Sequence, residues 1–529
     1  MEDWKWWQTG VVYQIYPRSF QDTNADGIGD INGIRQRLPH LIDLGVDAIW
    51  ISPIFPSPMR DFGYDVSDYR EIDPLFGSLA DFDSLLAAAH MGGLKVILDF
   101  VPNHTSDRHP WFQESRSSRL SPKRDWYVWR DAMPDGSPPN NWESEFGGPA
   151  WTFDKLTNQY YYHAFLREQP DLNWRNPAVR EAMCDVLRFW LDRGVDGFRV
   201  DAIHHLIEDE QLRDNPRNPR WRPGKPPKER WIQIRTIDQP ETHGAIKEMR
   251  RVVDGYPDRV MIGEAYLPID RLMAYYGEDL GGFHLPFNFH LISAVWRPEA
   301  LAALIEAYEA ALPTGGWPNW VLGNHDRSRV ASRLGPAQAR VAAMLLLTLR
   351  GTPTIYQGEE LGMSDVPIPA DFVQDPWEKN VPGFGLGRDP ERTPIPWTPG
   401  RHAGFTSGEP WLPIGASAGS LAVETQANDP KSMLSLYRAL IRLRRSDHAL
   451  TLGAYRLRGA TQGVFAYERR HRDSVILVAL NLTSAAQELL VGGARRERLL
   501  STYLDDPGDG SGEQIRLRAN EGLVFREAS

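Results

Sequence analysis

Short apolar runs alternate along the chain with longer stretches whose apolar positions recur every three or four residues, which is the pattern of repeated strands and helices. Residues 11–16 read as a first strand, and Ile34, Leu38, Leu41 and Ile42 place an apolar stripe on a helix over Ile31–Leu44. Second and third strands are predicted at 48–53 and Lys95–Phe100, with a helix at Leu79–Met91 between them. Val179, Met183, Val186, Leu187, Trp190 and Leu191 share one face of a helix over 176–193, which leads into a fourth strand at 197–201. Strands at 260–265, 283–289, 320–326 and 352–357 complete the series, with helices at Pro298–Ala311, 336–349 and 431–445. Eight such alternations predict an α/β fold in which a parallel sheet closes into a (β/α)8 TIM barrel.

Three stretches break the rhythm. Residues 103–170 are irregular and rich in Trp, Tyr, Pro and Gly, too long for a plain loop. Residues 206–243 and 363–415 are polar, Pro-rich excursions after strands four and eight. All three follow strand C-termini, the face on which barrel enzymes build their sites. Beyond 451 short alternating runs replace the repeat and predict an antiparallel β domain. The expected organisation is a first barrel part (1–102), an inserted domain (103–170), a second barrel part (171–450) and a C-terminal β-sandwich domain (451–529).

Composition narrows the function classes. A net charge of −11 argues against binding a nucleic-acid backbone or an anionic membrane surface. The single cysteine, Cys184, excludes an internal disulfide. No apolar run is long enough for a membrane span, and residues 1–7 do not read as a secretory signal. The expectation is a cytoplasmic protein, monomer or homodimer, acting on small molecules.

The strand ends carry the chemistry. Strand three closes on Asp99, Asn103 and His104, strand four on Arg199 and Asp201, strand five on Glu264, and strand seven on Asn324, His325 and Asp326. Arg199 and Asp201 lie two apart, so an extended backbone aims both to one side. A strand meant only for burial would carry neither, because buried charge is costly unless paired or used. Two carboxyl groups flanking a glycosidic bond are what its cleavage needs, one attacking or activating water and the other protonating the leaving oxygen. A third stabilises the electron-poor carbon or anchors hydroxyls. On this reading Asp201 is a nucleophile kept ionised by Arg199, while crowding and burial raise the acid's pKa. Singly, each carboxylate is more ordinarily a turn residue or a solvated charge, so the weight rests on their joint order. Asp99 is expected to pair locally, His204 and His205 to be loop histidines, with the pocket rim as their alternative place, and His104 and His325 also have a purely structural reading.

These stretches, with Gly63-Tyr64-Asp65, Gln169-Pro170-Asp171-Leu172-Asn173 and Arg388 to Pro394, resemble the α-amylase family (glycoside hydrolase family thirteen), close to its bacterial α-glucosidase and oligo-1,6-glucosidase branch. The resemblance implies a retaining double displacement: Asp201 forms a covalent glucosyl enzyme, Glu264 serves as acid and then base, and Asp326 stabilises the transition state. It also implies that Tyr64 stacks on a glucose ring whose hydroxyls are bonded by Asp65, His104, Arg199, His325 and Arg388, with Arg392 an alternative to Arg388. Phe165 is expected in the pocket because it precedes the 169–173 motif, while most rings among Trp126, Trp129, Trp142 and Trp151 are expected in a small core. The implied activity is exo-hydrolysis of terminal α-linked glucose from short oligosaccharides. Rival readings are a transglucosylase, a sucrose or trehalose isomerase, and a catalytically silent interaction subunit. Ala202, after the nucleophile, matches neither the valine nor the threonine that accompanies linkage preference in the branch, so maltose, sucrose and isomaltose types all stay open.

The loop Asp22-Thr23-Asn24-Ala25-Asp26-Gly27-Ile28-Gly29-Asp30 offers oxygens from Asp22, Asn24, Asp26, Asp30 and the Ile28 carbonyl at calcium-loop spacing. Gly33 stands where a bidentate Glu would complete that pattern, and no helix precedes the loop. Similar loops in the resembling branch hold a divalent ion, which implies a structural calcium or magnesium. A turn-rich loop without metal is the alternative. No organic cofactor is expected.

Overall fold

The computed structural model describes residues 4–492, 495–505 and 512–527. Strands β1 (Val12–Ile15), β2 (Ala48–Ile51) and β3 (Lys95–Phe100) are followed by the short β4 (Trp129–Arg130), β5 (Trp151–Asp154) and β6 (Gln159–Tyr162). Next come β7 (Gly197–Val200), β8 (Val260–Gly263), β9 (Leu285–Asn288), β10 (Asn319–Val321) and β11 (Thr352–Tyr356). Eight of these close into a barrel in the order β1-β11-β10-β9-β8-β7-β3-β2, with parallel pairing throughout. The strands are buried along nearly their whole length, which explains why they read as continuous apolar runs: helices cover one face and the barrel interior takes the other. The expected TIM barrel is present, with its strands where the apolar runs place them.

Local chemistry sets the element ends. The helix Ile31–Leu44 starts at Asp30, whose carboxylate accepts from Gly33 N at 2.7 Å, and stops at Gly45 in the left-handed region (φ 92°). The helix Leu79–Met91 begins with a reciprocal pairing of Ser78 and Asp81. A helix at Thr242–Asp254 was not anticipated. Its stripe of Ala245, Ile246, Met249 and Val253 has helical spacing, but it follows directly on the polar 206–243 stretch.

Between β3 and β7, strands β4-β6-β5 form a three-stranded antiparallel sheet. Trp142 and Trp151 join Val128, Ala150, Tyr162 and Ala164 in a separate cluster, while Trp129 belongs to the main core. Past the barrel, β12 (Ala454–Thr461), β13 (Val464–His471), β14 (Ser474–Asn481), β15 (Gln487–Leu490), β16 (Arg496–Ser501), β17 (Gln514–Leu517) and β18 (Gly522–Glu527) are all antiparallel. They form a five-stranded sheet, β12-β13-β14-β18-β16, and a two-stranded sheet, β15-β17. Alternation divides the larger sheet's residues: Val464, Ala466, Leu477 and Phe525 pack with Ile515 and Leu517 of the smaller sheet, whereas Phe465, Tyr467, Ile476 and Val524 join the main core. That second face meets the helix Pro336–Thr348, where Gln338 Nε2 donates to Asn481 O at 3.2 Å. Among the described residues no helix is long and apolar enough to cross a membrane.

Candidate active site

β7 brings Arg199 and Asp201 to the barrel mouth. Gly197 opens this strand because a Cβ there would lie 2.4 Å from Val260 O. Register places Asp99 beside Arg199 on the neighbouring β3, and Asp201 N bonds Phe100 O at 2.8 Å. Arg199 is fully buried and serves three carboxylates. Its Nη1 donates to Asp99 Oδ1 at 2.8 Å and to Asp201 Oδ1 at 2.6 Å, and its Nη2 lies 2.6 Å from Glu264 Oε2. The two proposed reacting acids are thus held by neighbouring nitrogens of one guanidinium. Glu264 Oε2 also accepts from Ala202 N at 2.8 Å. Ala202 takes the left-handed conformation (φ 42°, ψ 36°), a cost of about 1–2 kcal/mol for a residue with a Cβ. That turn is what directs the Ala202 amide to Glu264.

One cation for three acids leaves excess negative charge in a buried cluster. Burial raises the Asp201 carboxyl well above the ordinary aspartate value; Arg199 pulls it down, and Glu264, Asp99 and Asp326 push it up again. Arg199 thus favours the ionised Asp201 as expected, but the guanidinium is shared with Asp99 and Glu264, so burial still leaves the carboxyl above its ordinary value. Asp99 is raised to about 6 by the same burial, against Arg199.

Asp326 has the opposite setting. Arg392 Nη2 donates to its Oδ1 at 2.7 Å and Arg388 Nη1 at 3.3 Å. Burial opposes ionisation, yet the Arg388 and Arg392 charges hold this carboxyl well below the usual range, while burial pushes the neighbouring His325 imidazole down. Arg388 and Arg392, weighed as alternatives from the sequence, thus both bind Asp326. Arg388 also bonds Asp61 Oδ1 and Asp375 Oδ1, each at 2.8 Å.

A cavity of about 280 Å³ gathers Asp201, Glu264, Asp326, Tyr64, Arg388 and Phe165, with His104 also on its wall. Tyr64 and His325 rings stack at 5.4 Å and 4°, and Tyr64 OH lies 2.7 Å from His325 Nε2, so His325 sits beneath Tyr64 and supports it. His104 Nε2 faces Tyr64 O and Gln169 Nε2, each at 3.1 Å, and burial lowers its pKa to about 4. Arg199 and His325 lie under the acids and Tyr64, outside the lining. Asp65 does not line the cavity either. Its carboxylate accepts from Ser57 Oγ at 2.8 Å, Arg60 N at 2.9 Å and Asp61 N at 3.0 Å, which fixes the turn that presents Asp61. Asp61 is the acid of this motif in the cavity; with two acids four residues apart, the sequence offered no way to choose between them. Phe146, one of the inserted segment's rings that could stack on a sugar face, lines the cavity too; Glu145, Lys228, Gln233 and Trp377 also line it and carried no sequence signal, since they lie on the irregular excursions.

In the 22–30 loop, Asn24 N bonds Asp22 Oδ1 at 2.8 Å, Asp26 N bonds Asn24 Oδ1 at 3.0 Å, and Ile28 N bonds Asp26 Oδ1 at 2.8 Å. These successive Asx turns curl the loop, with Asp22 and Asp30 buried and Asn24 and Asp26 exposed. Asp30 is engaged by Thr23 N at 2.8 Å and by the helix cap, and among the described residues no group of three or more His, Cys, Asp or Glu is placed to hold a metal ion.

A family profile described as alpha amylase, catalytic domain, matches residues 14–453. The chain belongs to the α-amylase family. This member is 45% identical over 501 residues to a probable alpha-glucosidase of Rhizobium meliloti (strain 1021), covering 92% of this chain and 90% of that protein. It is 38% identical over 563 residues to an oligo-1,6-glucosidase of Halalkalibacterium halodurans, covering 98% and 99%. A solved structure of an alpha-glucosyl transfer enzyme, XgtA, superposes with a TM-score of 0.95 at 43% identity, covering 99% of this chain and 100% of that one. As a member of this family the protein is a glycoside hydrolase.

Proposed function

We propose that this α-amylase family member is a retaining, exo-acting α-glucosidase that removes terminal glucose from short α-glucosides. The observation that carries the reading is the Arg199 guanidinium, which holds Asp201 and Glu264 side by side at one cavity. In the first step an Asp201 carboxylate oxygen forms a bond to the anomeric carbon while the glycosidic bond breaks, and the Glu264 proton passes to the leaving oxygen. In the second, Glu264 takes a proton from water, the water oxygen bonds the anomeric carbon, and Asp201 leaves. Asp326, held ionised by Arg388 and Arg392, accepts hydrogen bonds from sugar hydroxyls that tighten as the sugar carbon becomes electron-poor. Tyr64 offers a ring for the sugar face, and Asp61, Arg388 and His104 lie on the wall around it. The small cavity supports binding of one terminal unit and its neighbour over a long chain.

The likeness to an alpha-glucosyl transfer enzyme favours a second reading, in which a sugar hydroxyl replaces water in the second step. Initial rates on maltose, isomaltose, sucrose, trehalose and p-nitrophenyl α-glucoside, with free glucose measured against new glycoside, test both. Release of glucose from at least one substrate is expected; a protein that turns over none of them contradicts the proposal. Linkage is left to this assay, because Ala202 offers only a methyl group to the pocket.

We further propose a cytoplasmic location, supported by the lone, buried Cys184. We propose a divalent cation, calcium or magnesium, on Asp22, Asn24, Asp26, Asp30 and the Ile28 carbonyl, supported by donor spacing and the Asx curl. The ion would act as a clasp on the loop; the reaction needs nothing from it. Excess chelator is expected to lower the melting temperature by several degrees, as removal of a ligand that binds only the folded state does, while the rate at 25 °C changes little. A melting curve unmoved by chelator, and unmoved again on adding calcium or magnesium, argues for the metal-free loop.

A further inference from the structure

The circular order of strands makes one contact above the site informative. β7 and β11 stand opposite each other in the ring, the same number of places apart in either direction. The loops that leave them nevertheless meet: Lys228, after β7, places its Nζ 4.9 Å from the ring centroid of Trp377, after β11. The segment inserted after β3 closes a third side. Lys228 is ion-paired with Glu145, and Gln233 Nε2 donates to Glu145 Oε1 at 2.6 Å. Phe146 meets Trp377 edge-on at 5.5 Å, and Trp231 Nε1 donates to Glu143 Oε1 at 3.1 Å. Glu145, Phe146, Lys228, Gln233 and Trp377 line the same cavity as Asp201 and Glu264.

We infer that Lys228, tied to Glu145 and stacked over Trp377, is a strap across the barrel mouth that restricts this enzyme to disaccharide-sized substrates. The inference rests on the α-glucosidase reading and adds to it the residue that sets chain length. With the terminal glucose in the cavity, the rest of the substrate must leave through the mouth. A second sugar unit fits beneath the strap, whose ammonium and the Gln233 amide face it with donors. Further units must displace Lys228, separating it from Glu145 and from the Trp377 ring together. The pair is only partly solvated, with side chains 23% and 16% exposed, so breaking it costs more than breaking a surface ion pair. Burial would raise the Glu145 carboxyl, yet the Lys228 ammonium beside it brings it to about 2, so Glu145 stays ionised at working pH.

The test compares kcat/KM for maltose with maltotetraose, and for isomaltose with isomaltotetraose, in the parent and in Lys228→Ala, Trp377→Ala and Lys228→Arg. The parent is expected to prefer the disaccharide by at least ~10-fold. Lys228→Ala and Trp377→Ala are expected to shrink that preference about tenfold, through a lower KM for the tetrasaccharide. Lys228→Arg keeps both the charge and the stacking and should hold the parental ratio. A parent that cleaves the tetrasaccharide as readily as the disaccharide overturns the strap, and so does an unchanged ratio in folded, active alanine variants. If Lys228→Ala fails to fold, Trp377→Ala and the parental ratio decide. A parent inactive on all four sugars and on p-nitrophenyl α-glucoside overturns the α-glucosidase reading itself.

Discussion

Asp201→Asn is expected to lower kcat at least ~10³-fold, a loss of about 4 kcal/mol of transition-state stabilisation, while leaving the fold intact. The amide keeps the size of the carboxylate but cannot form the glycosyl ester. It also removes one of three acids competing for Arg199, so repulsion in the cluster falls. The melting temperature should therefore equal or exceed that of the parent, and inactivity with retained stability separates a chemical role from a structural one. The parent's pH profile supplies a second check. Asp201 reacts only when ionised, and burial raises its pKa, so activity disappears as pH falls through that raised value, above the ~3.9 of an ordinary aspartate. Near-parental turnover by the variant, or an acid limb at or below the ordinary value, contradicts the assignment.

Glu264→Gln is expected to lower kcat on disaccharides at least ~10³-fold, but with a different dependence on the leaving group. An unactivated sugar needs a proton on the departing oxygen; p-nitrophenolate leaves without one. The variant should retain a burst of p-nitrophenol as the covalent intermediate accumulates, because the second step lacks its base. Azide, which attacks without a general base, should speed that step and yield the α-glucosyl azide if the mechanism is retaining. Equal losses on both substrate types, with no burst and no azide effect, would take Glu264 out of the acid–base role. Asp201→Asn cannot show this pattern, so the two variants assign the two roles independently.

The barrel and the three acids were legible in the sequence for one reason: strand burial forces apolar runs, and charged residues at the ends of such runs have no cheap structural explanation. Asp201, Glu264 and Asp326 stand out against Phe198, Val200, Ile262 and Val321, and the structure brings all three to one cavity. What was not legible depends on loops. Lys228, Gln233 and Trp377 sit in Pro-rich stretches without periodicity, and only the closed ring of strands shows that their loops come from opposite sides. Asp61 was hidden by Asp65, since the choice rests on which carboxylate the turn amides occupy. The sharing of Arg199 was hidden too, because Asp99 reaches it through strand register and Glu264 through a left-handed turn at Ala202.

The helix Pro336–Thr348 has no wet side: nearly every residue in it is buried, between the barrel on one flank and the larger C-terminal sheet on the other. It also delivers the chain directly into β11, the stave that carries the Trp377 loop. The C-terminal strands are thus a buttress for one wall of the catalytic mouth, and a shortened enzyme ending after the barrel would leave that helix with a greasy flank and the wall unsupported.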